Sequence, residues 1–370
     1  MRHAEVGITY NKVDISKNIK GDLLSFAYDE VAEGSGDSLS FSLQNKGLKW
    51  LNEWYPIAGD TIWASLTSYD WNKLGEIQKL ECGIMPIDSP EFSGPPDTVT
   101  LKALNMPTTE GFNDVAEDGS WEYITLYELG QKIANKYGME FVYDSDLSIM
   151  IRALKRTNQT DPDFLKSTAE KYGLCLKIFS NRIILYSKKV YEQREPVTTI
   201  TYGVTSIGEY GFEAPTVDTG YNGVILRYQL PDADNDVSEP EDYDESEEII
   251  QEETNWEFWE EDTYSDAKEV LTYAFALSNG GKILRISESV DDFAQAEIVA
   301  KAKLREANEK QHTGSFTIAL NLDITAGCTF LISGFGKFDG KYFVDAASHS
   351  YGNGSGGTTI KFHRCLEGDY

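Results

Sequence analysis

Two sets of short strands, in the same order near the two ends of the chain, constrain its fold more than any other feature. Residues 38–45 compare with residues 315–321, and residues 58–64 compare with residues 326–332. Each set continues through a glycine-rich loop into a closing strand, at residues 97–102 and 357–361. Since the matches share one order, we infer an internal duplication. The pattern predicts two related β-barrels, which a symmetric assembly could use as equivalent units.

The stretch between the two sets has helical rather than strand periodicity. Thr125 and Glu128 have the spacing of a capping box, and the helix that follows is expected to end at Gly138. A second helix is expected to begin after Thr160 and to end at Gly173. Both helices end in Lys-Tyr-Gly and continue into a strand. The pattern predicts a small α+β insert with twofold internal similarity.

These observations predict a mainly β protein with an α+β insert, that is, two related β-barrels plus a small helix–strand domain. The expected domains are 1–106 for the first barrel, 107–190 for the insert and 191–370 for the second barrel region. An acidic loop at 232–262 is expected to interrupt that last region, which also contains a helix at 290–310. The run from Ser289 to Asp292 is expected to cap this helix. Its apolar stripe is expected to face a core, with the charged residues outside: Phe293, Ala296, Ala300, Leu304 and Ala307 inside, and Lys301, Lys303, Arg305 and Glu309 outside.

Charge and composition exclude several classes of function. The formal net charge is -28, and the stretch 232–262 contains sixteen Asp or Glu residues and no Lys or Arg. This balance argues against direct nucleic-acid binding, because a phosphate backbone favours Lys and Arg. No apolar run approaches the ~20 residues that cross a bilayer, and the N-terminus lacks a secretory signal. We therefore expect no membrane segment, and synthesis in a cytoplasm.

The search for chemical sites predicts no catalytic, cofactor-binding or metal-binding residues. His363 and Cys365 would share one face of a strand, but an ordinary strand face explains them. Residues 232–236 imitate the start of a calcium loop, yet Val237 and Tyr243 stand where such a loop needs Gly and Glu. The run 352–357 is rich in glycine but opens no helix, so a hairpin loop is expected there. A carboxylate pair of the glycosidase kind stays open, because acidic residues are so numerous.

One turn is predicted in detail. Asp339 and Gly340 form an Asp-Gly pair between two apolar runs, and this pair favours the positive φ angles of a tight hairpin turn. We therefore expect a hairpin in the second barrel with its turn at these two residues.

Several segments resemble the late-control protein D family of phage tail hubs. The similar segments follow the family's order over nearly the whole chain, and they are residues 37–41, 49–54, 59–60, 163–165, 172–174, 329–344, 348–351 and 364–368. The chain is also similar to the hub part of type VI secretion spike proteins. The acidic stretch 232–262 departs from the family pattern.

The resemblance implies a structural baseplate hub subunit that joins a sixfold tail tube to a threefold spike. Family members form homotrimers in which two tube-type β-barrels per chain make a ring of six, and the resemblance implies synthesis in a bacterial cytoplasm. The implied partners are the tail tube protein, the spike protein, other baseplate proteins and the tape-measure protein. The implied location is a contractile phage tail or a released tail-like particle, and no enzymatic activity is expected. The alternatives are a tail-associated cell-wall hydrolase, which normally carries a separate lytic block, and a peptidoglycan-binding tail-tip protein.

Overall fold

The computed structural model describes residues 2–34, 36–57, 59–105, 111–228, 271–277 and 281–368. The first part contains β1 (His3–Tyr10), β2 (Val13–Asp14), α1 (Ser16–Ile19), β3 (Leu23–Val31), β4 (Ser38–Gln44), β5 (Thr61–Tyr69), β6 (Ile77–Ser93) and β7 (Thr98–Leu104). The middle contains β8 (Glu117–Thr125), α2 (Leu126–Lys136), β9 (Glu140–Asp144), β10 (Met150–Gln159), α3 (Asp161–Lys171), β11 (Leu174–Phe179), β12 (Arg182–Ser187) and α4 (Lys188–Glu192). The last part contains β13 (Thr199–Thr201), β14 (Ile207–Glu213), β15 (Tyr221–Tyr228), β16 (Leu271–Ala276), β17 (Lys282–Ser287), α5 (Phe293–Glu309), β18 (Thr313–Ala319), β19 (Thr329–Ser333), β20 (Gly340–Gly352) and β21 (Ser355–Arg364). The acidic stretch 232–262 lies outside the described residues.

Strands from the two ends of the chain form one 13-stranded sheet. Its order is β14-β18-β21-β20-β3-β4-β7-β6-β5-β1-β2, with β19 also on β20 and β13 on β19. The two halves meet where β20 pairs antiparallel with β3, from Ala346 opposite Val31 to Gly352 opposite Ser25. The predicted class, mainly β with an α+β insert, is confirmed.

The expected closure into two barrels is not found among the described strands, whose sheet stays open. The reason lies in β20, a strand of 13 residues that pairs with β21, β19 and β3. The strands of the last part therefore continue the first sheet instead of closing on themselves.

The duplicated segments lie at equivalent places in this sheet. In each set the first strand pairs antiparallel with the closing strand, β4 with β7 and β18 with β21. The sequence alignment matches Leu39 with Phe316, yet Leu39 lies opposite Ala103 whereas Phe316 lies opposite Ile360, the counterpart of Leu101. The registers thus differ by two residues. A shift of two preserves the inward face of each strand, so both copies keep a buried apolar face.

Strand alternation gives each half of the sheet its own apolar core. On β4, Leu39, Phe41 and Leu43 are buried, and the serines between them lie on the opposite face. The first-half core also contains Trp50 from the loop after β4. A separate aromatic core fills the last part, and its members include Phe316, Phe330, Tyr342 and Phe362.

The helices of the insert begin and end where the sequence predicts. Thr125 accepts from the Glu128 backbone at 3.1 Å while the Glu128 carboxylate accepts from the Thr125 backbone at 2.9 Å. Thr160 caps α3, and Gly138 and Gly173 follow the two helix ends with φ of 66° and 75°. Glycine adopts the left-handed conformation with little steric cost, and this explains why the chain can reverse direction after both helices.

A buried ion cluster joins the two helix–strand copies. Asp161 accepts hydrogen bonds from Lys136 Nζ at 2.7 Å and from the Tyr137 hydroxyl at 2.6 Å, and it also pairs with Arg156. The equivalent tyrosine of the second copy, Tyr172, donates to Gln295 of α5 at 3.3 Å. The repeated tyrosine therefore connects each copy to the next element.

Helix α5 packs against the insert. One core cluster combines Leu129, Phe164 and Leu185 of the insert with Val224 of β15 and Ala300 of α5. Four residues of α5 differ from the expected pattern: Phe293 is 60% exposed, Arg305 is buried, and the side chains of Glu309 and Lys301 are only 15% and 19% exposed. Phe293 is the first residue of the helix, and its ring makes an edge contact with Tyr273. The charge of Arg305 can be buried because the carboxylates of Glu192 and Glu309 lie beside it. The domain boundaries near residues 106 and 190 stay a prediction.

The predicted turn at Asp339 and Gly340 is wrong, although the hairpin of β19 and β20 is present. The loop turns earlier, through a 3-10 turn at Gly336–Phe338, and Asp339 is extended. The Asp339 carboxylate accepts from the Phe335 backbone at 2.6 Å, so this side chain closes the loop. Gly340 is already the first residue of β20, with φ of 149°.

Gly352 provides a test of the junction between β20 and β3. A Cβ atom there would lie 2.6 Å from the Leu24 carbonyl oxygen, whereas one at Gly357 in the same hairpin would lie 3.4 Å from the nearest atom. We expect Gly352→Ala to lower the free energy of unfolding by about 1–3 kcal/mol, because the backbone must shift. Gly357→Ala should change it much less. Urea unfolding of both variants measures this, and equal stabilities would contradict the tight β20–β3 contact.

Candidate functional site

Charged side chains from five parts of the chain meet beside the ends of strands β3 and β21, in the interior of the sheet order. We call this group the junction cluster. Glu33 comes from the loop between β3 and β4, and the others come from α4, α5, β20 and β21. The members are Glu33, Lys188, Glu192, Arg305, Glu309, Asp345 and His363.

Glu192 lies at the centre of the junction cluster and is almost fully buried. Its carboxylate lies 3.1 Å from His363 Nε2 and 2.5 Å from Arg305 Nη2, and it accepts from the Leu366 backbone at 3.0 Å. The contact with Arg305 is close but poorly aligned for a hydrogen bond. Glu192 thus connects α4 with α5, β21 and the residues after β21.

The rest of the junction cluster alternates in charge. Glu309 lies 2.9 Å from Lys188 Nζ and 3.2 Å from Arg305 Nε, and Lys188 also pairs with Glu33. His363 Nδ1 lies 2.7 Å from Asp345 Oδ1. The alternation gives every buried charge an opposite neighbour, and burial requires this.

The pKa values follow from this arrangement. Burial alone would lower the pKa of His363, but its contacts with Asp345 and Glu192 outweigh burial and raise the pKa to about 9. Burial would raise the pKa of Glu192, yet His363 and Arg305 hold it below its usual range. Lys188 likewise has a raised pKa, because Glu309 and Glu33 outweigh its burial. His363 is therefore an imidazolium at neutral pH.

Three side chains of the junction cluster are of the types that bind metal ions. Ligand atoms of Glu192, Glu309 and His363 lie within 4.8 Å of one another. However, a metal needs the neutral imidazole, and His363 is protonated. Arg305 and Lys188 already neutralise the carboxylates from within the same space. The residues present do not fit a metal ion.

The other candidate residues are held in structural roles. Cys365 lies beyond the end of β21, and its backbone donates to Lys341 at 3.0 Å. Burial raises the pKa of its thiol to about 12, and it raises the pKa values of Cys82, Cys175 and Cys328 as well. Such thiols are protonated and weakly nucleophilic. The glycine-rich run is the β20–β21 hairpin, and the calcium-like residues 232–236 lie outside the described residues.

The junction cluster could not be located from the sequence. Its residues lie far apart along the chain, and Arg305 was expected on the outer face of α5. The only local signal is the spacing of Arg305 and Glu309, four residues apart, which indicates an ion pair but not its burial.

An aromatic surface lies at one edge of the sheet. Within the described chain, β14 pairs with β18 alone, so its other edge is open. Tyr202 and Tyr210 are 57% and 50% exposed, and both rings contact Phe335 at centroid distances of 5.2 Å. Exposed aromatic rings beside an open strand edge are typical of surfaces that contact another chain.

Comparison with solved structures shows the fold of phage tail proteins. A tail protein from Neisseria meningitidis MC58 is 12% identical, with a TM-score of 0.65, over 98% of this chain and 97% of that one. The 43 kDa tail protein of prophage MuSo2 from Shewanella oneidensis is 9% identical, with a TM-score of 0.63, over 98% of both chains. An E. coli type VI secretion component, described as structurally similar to the T4 tail proteins gp27 and gp5, is 11% identical with a TM-score of 0.52, over 94% of this chain and 74% of that one.

Sequence comparison adds nothing to this result, because no family model and no curated protein matches the chain. Within the described residues, none of the helices combines the length and apolar character that crossing a bilayer requires. The class of protein that the structure defines is therefore one with the phage tail protein fold.

Glu192 tests the importance of the junction cluster. We expect Glu192→Ala to lower the free energy of unfolding by about 3–5 kcal/mol, because it leaves Arg305 and His363 buried without their shared partner. The exposed Glu195, three residues later, is the matched control, and Glu195→Ala should stay within about 0.5 kcal/mol of the parent. Denaturant unfolding measures both. A similar small effect for the two variants would show that Glu192 is not central.

Addition of a metal ion tests whether the ion pairs of the junction cluster prevent metal binding. We expect the melting temperature to change by less than about 1 °C on addition of Zn²⁺ or of a chelator, because ligand binding raises stability only where a site exists. Differential scanning calorimetry at neutral pH measures this. A Zn²⁺-dependent rise that Glu309→Gln abolishes would contradict the ion-pair interpretation of the junction cluster.

Proposed function

We propose that this chain is a structural baseplate hub subunit that joins a sixfold tail tube to a threefold spike in a contractile phage tail or tail-like particle. The observation that carries the proposal is the likeness to tail proteins over 98% of this chain and at least 97% of theirs. The sequence resemblance to the late-control protein D family supports the same role. The likeness to a type VI secretion component is consistent with a shared tail-tip architecture.

The internal duplication supplies the physical reason for this role. Three chains that each present two related strand sets could offer six similar surfaces to a tube and three identical surfaces to a spike. The proposed partners are therefore two further copies of the chain, the tail tube protein, the spike protein, other baseplate proteins and the tape-measure protein. The open edge of β14 with its exposed tyrosines is a suitable contact surface. The proposed location is the assembled tail.

Removal of the chain from its host tests this role. An in-frame deletion in a strain that produces the particles should abolish complete tails, and an intact copy supplied in trans should restore them. Negative-stain electron microscopy counts complete tails, separate tubes and separate sheaths. Gly352→Ala and Gly357→Ala provide a matched pair of complementing variants, because only the first should weaken the β20–β3 junction and yield fewer complete tails. Normal tails in the deletion strain would overturn the proposal.

The absence of enzymatic activity is part of the proposal. We expect the purified chain to release no products from peptidoglycan, because its buried carboxylates are held by cations and its thiols are protonated. A zymogram with a known lysozyme as the positive control measures this. Lysis that a single carboxylate substitution abolishes would favour the cell-wall hydrolase alternative, and retention on peptidoglycan without lysis would favour a glycan-binding tail-tip protein.

A further inference from the structure

His363 has two carboxylates as its partners, one at each ring nitrogen. Nδ1 lies 2.7 Å from Asp345 and Nε2 lies 3.1 Å from Glu192, and the ring is almost fully buried. A carboxylate only accepts hydrogen bonds, and a neutral imidazole carries a single N–H group. Both contacts can therefore be satisfied only while the ring carries two N–H groups. The geometry therefore favours an imidazolium between two ionised carboxylates.

Loss of the His363 proton would change the charge balance of the junction cluster. The junction cluster contains four carboxylates, and Lys188, Arg305 and the protonated His363 supply three opposing charges. Without the proton, only two cations would face four carboxylates, of which Glu192 and Glu309 are the most buried. Glu192 would lose one donor. The same carboxylate holds α4 and the Leu366 backbone, so the effect would reach both.

We propose that His363 is a proton-controlled latch whose protonated form fastens α4 and residues 365–368 to strands β20 and β21 and whose deprotonation loosens them while the strands stay paired. The latch controls the attachment of α4, the helix that connects the insert to the second half of the sheet, and it does not depend on a role in a tail.

Other groups around His363 do not titrate in the same range. The pKa values of Glu192 and Glu33 lie below the usual range, and the pKa of Lys188 lies above it. The Cys365 thiol has a pKa of about 12. Arg305, Glu309 and Asp345 are the remaining charged neighbours, and the ring of Phe343, 5.3 Å away, carries no charge.

The direction of the pH effect follows from the pKa of His363. This pKa rises from 6.5 in the unfolded chain to about 9 in the folded protein, so the latch contributes fully below pH 6.5 and is lost as the pH rises through about 9. One unit of pKa corresponds to a tenfold change in an equilibrium constant, so the local opening equilibrium should increase about a hundredfold or more over this range.

Two measurements test the latch. In the full chain labelled at the histidine Cε1 carbon, one NMR signal should titrate near pH 9 and should be missing in His363→Gln. Hydrogen exchange, corrected for the pH dependence of the intrinsic rate, should show that residues 188–192 and 365–368 open about a hundredfold more readily at pH 9.5 than at pH 6.5. The paired strands β3 and β20 should not change. In His363→Gln the two segments should open at both pH values as readily as the parent chain does at pH 9.5.

His312→Gln is the matched control, because His312 lies outside the junction cluster and should leave the pH response unchanged. If His363→Gln does not fold, Asp345→Asn takes its place, and its NMR transition and local opening should both move to lower pH. Opening that is independent of pH in the parent chain would overturn the proposal. So would a transition that persists in His363→Gln, or an equal loss of protection in every strand.

Discussion

The antiparallel pairing of β3 with β20 is the interaction on which the rest of the structure depends. It joins a strand from the beginning of the chain to one from the end, and the two duplicated strand sets thereby become parts of one sheet. Without this pairing each set would expose another strand edge, and exposed edges invite uncontrolled association. The close approach at Gly352, where only a hydrogen atom fits beside the Leu24 carbonyl, shows how tightly the junction is packed.

The insert and helix α5 are attached to this sheet by charges rather than by apolar contacts alone. The loop after β3 contributes Glu33 to the junction cluster, and Asp37 near its end pairs with Lys177 at 2.5 Å. Buried ion pairs add little net stability, because desolvation offsets much of their attraction, but each is costly to break. They are therefore suited to fixing one orientation of the insert relative to the sheet, with His363 as the member most sensitive to pH.

The sequence predicted those features whose signals are local. The capping box at Thr125, the cap at Thr160 and the inward face of β4 depend on neighbouring residues, and all are present. The order of the duplicated segments also led to the correct fold class. The open sheet was not predictable, because strand pairing between residues 31 and 346 leaves no local pattern. The turn at Asp339 was wrongly placed since its side chain closes a longer loop.

The candidate site shows the same limit more strongly. The charge of Arg305 predicted an exposed position. Its two carboxylate partners are Glu192, more than a hundred residues earlier in α4, and Glu309, on the next turn of α5. Only tertiary structure brings them together.

A cryo-electron microscopy map of the intact particle tests the central proposal most directly. The account predicts three copies of this chain around the tail axis, between the end of the tube and the spike, with their strand sets forming a ring of six. A map in which the chain lies elsewhere, such as in a side fibre, or in which its copies do not surround the axis, would contradict it.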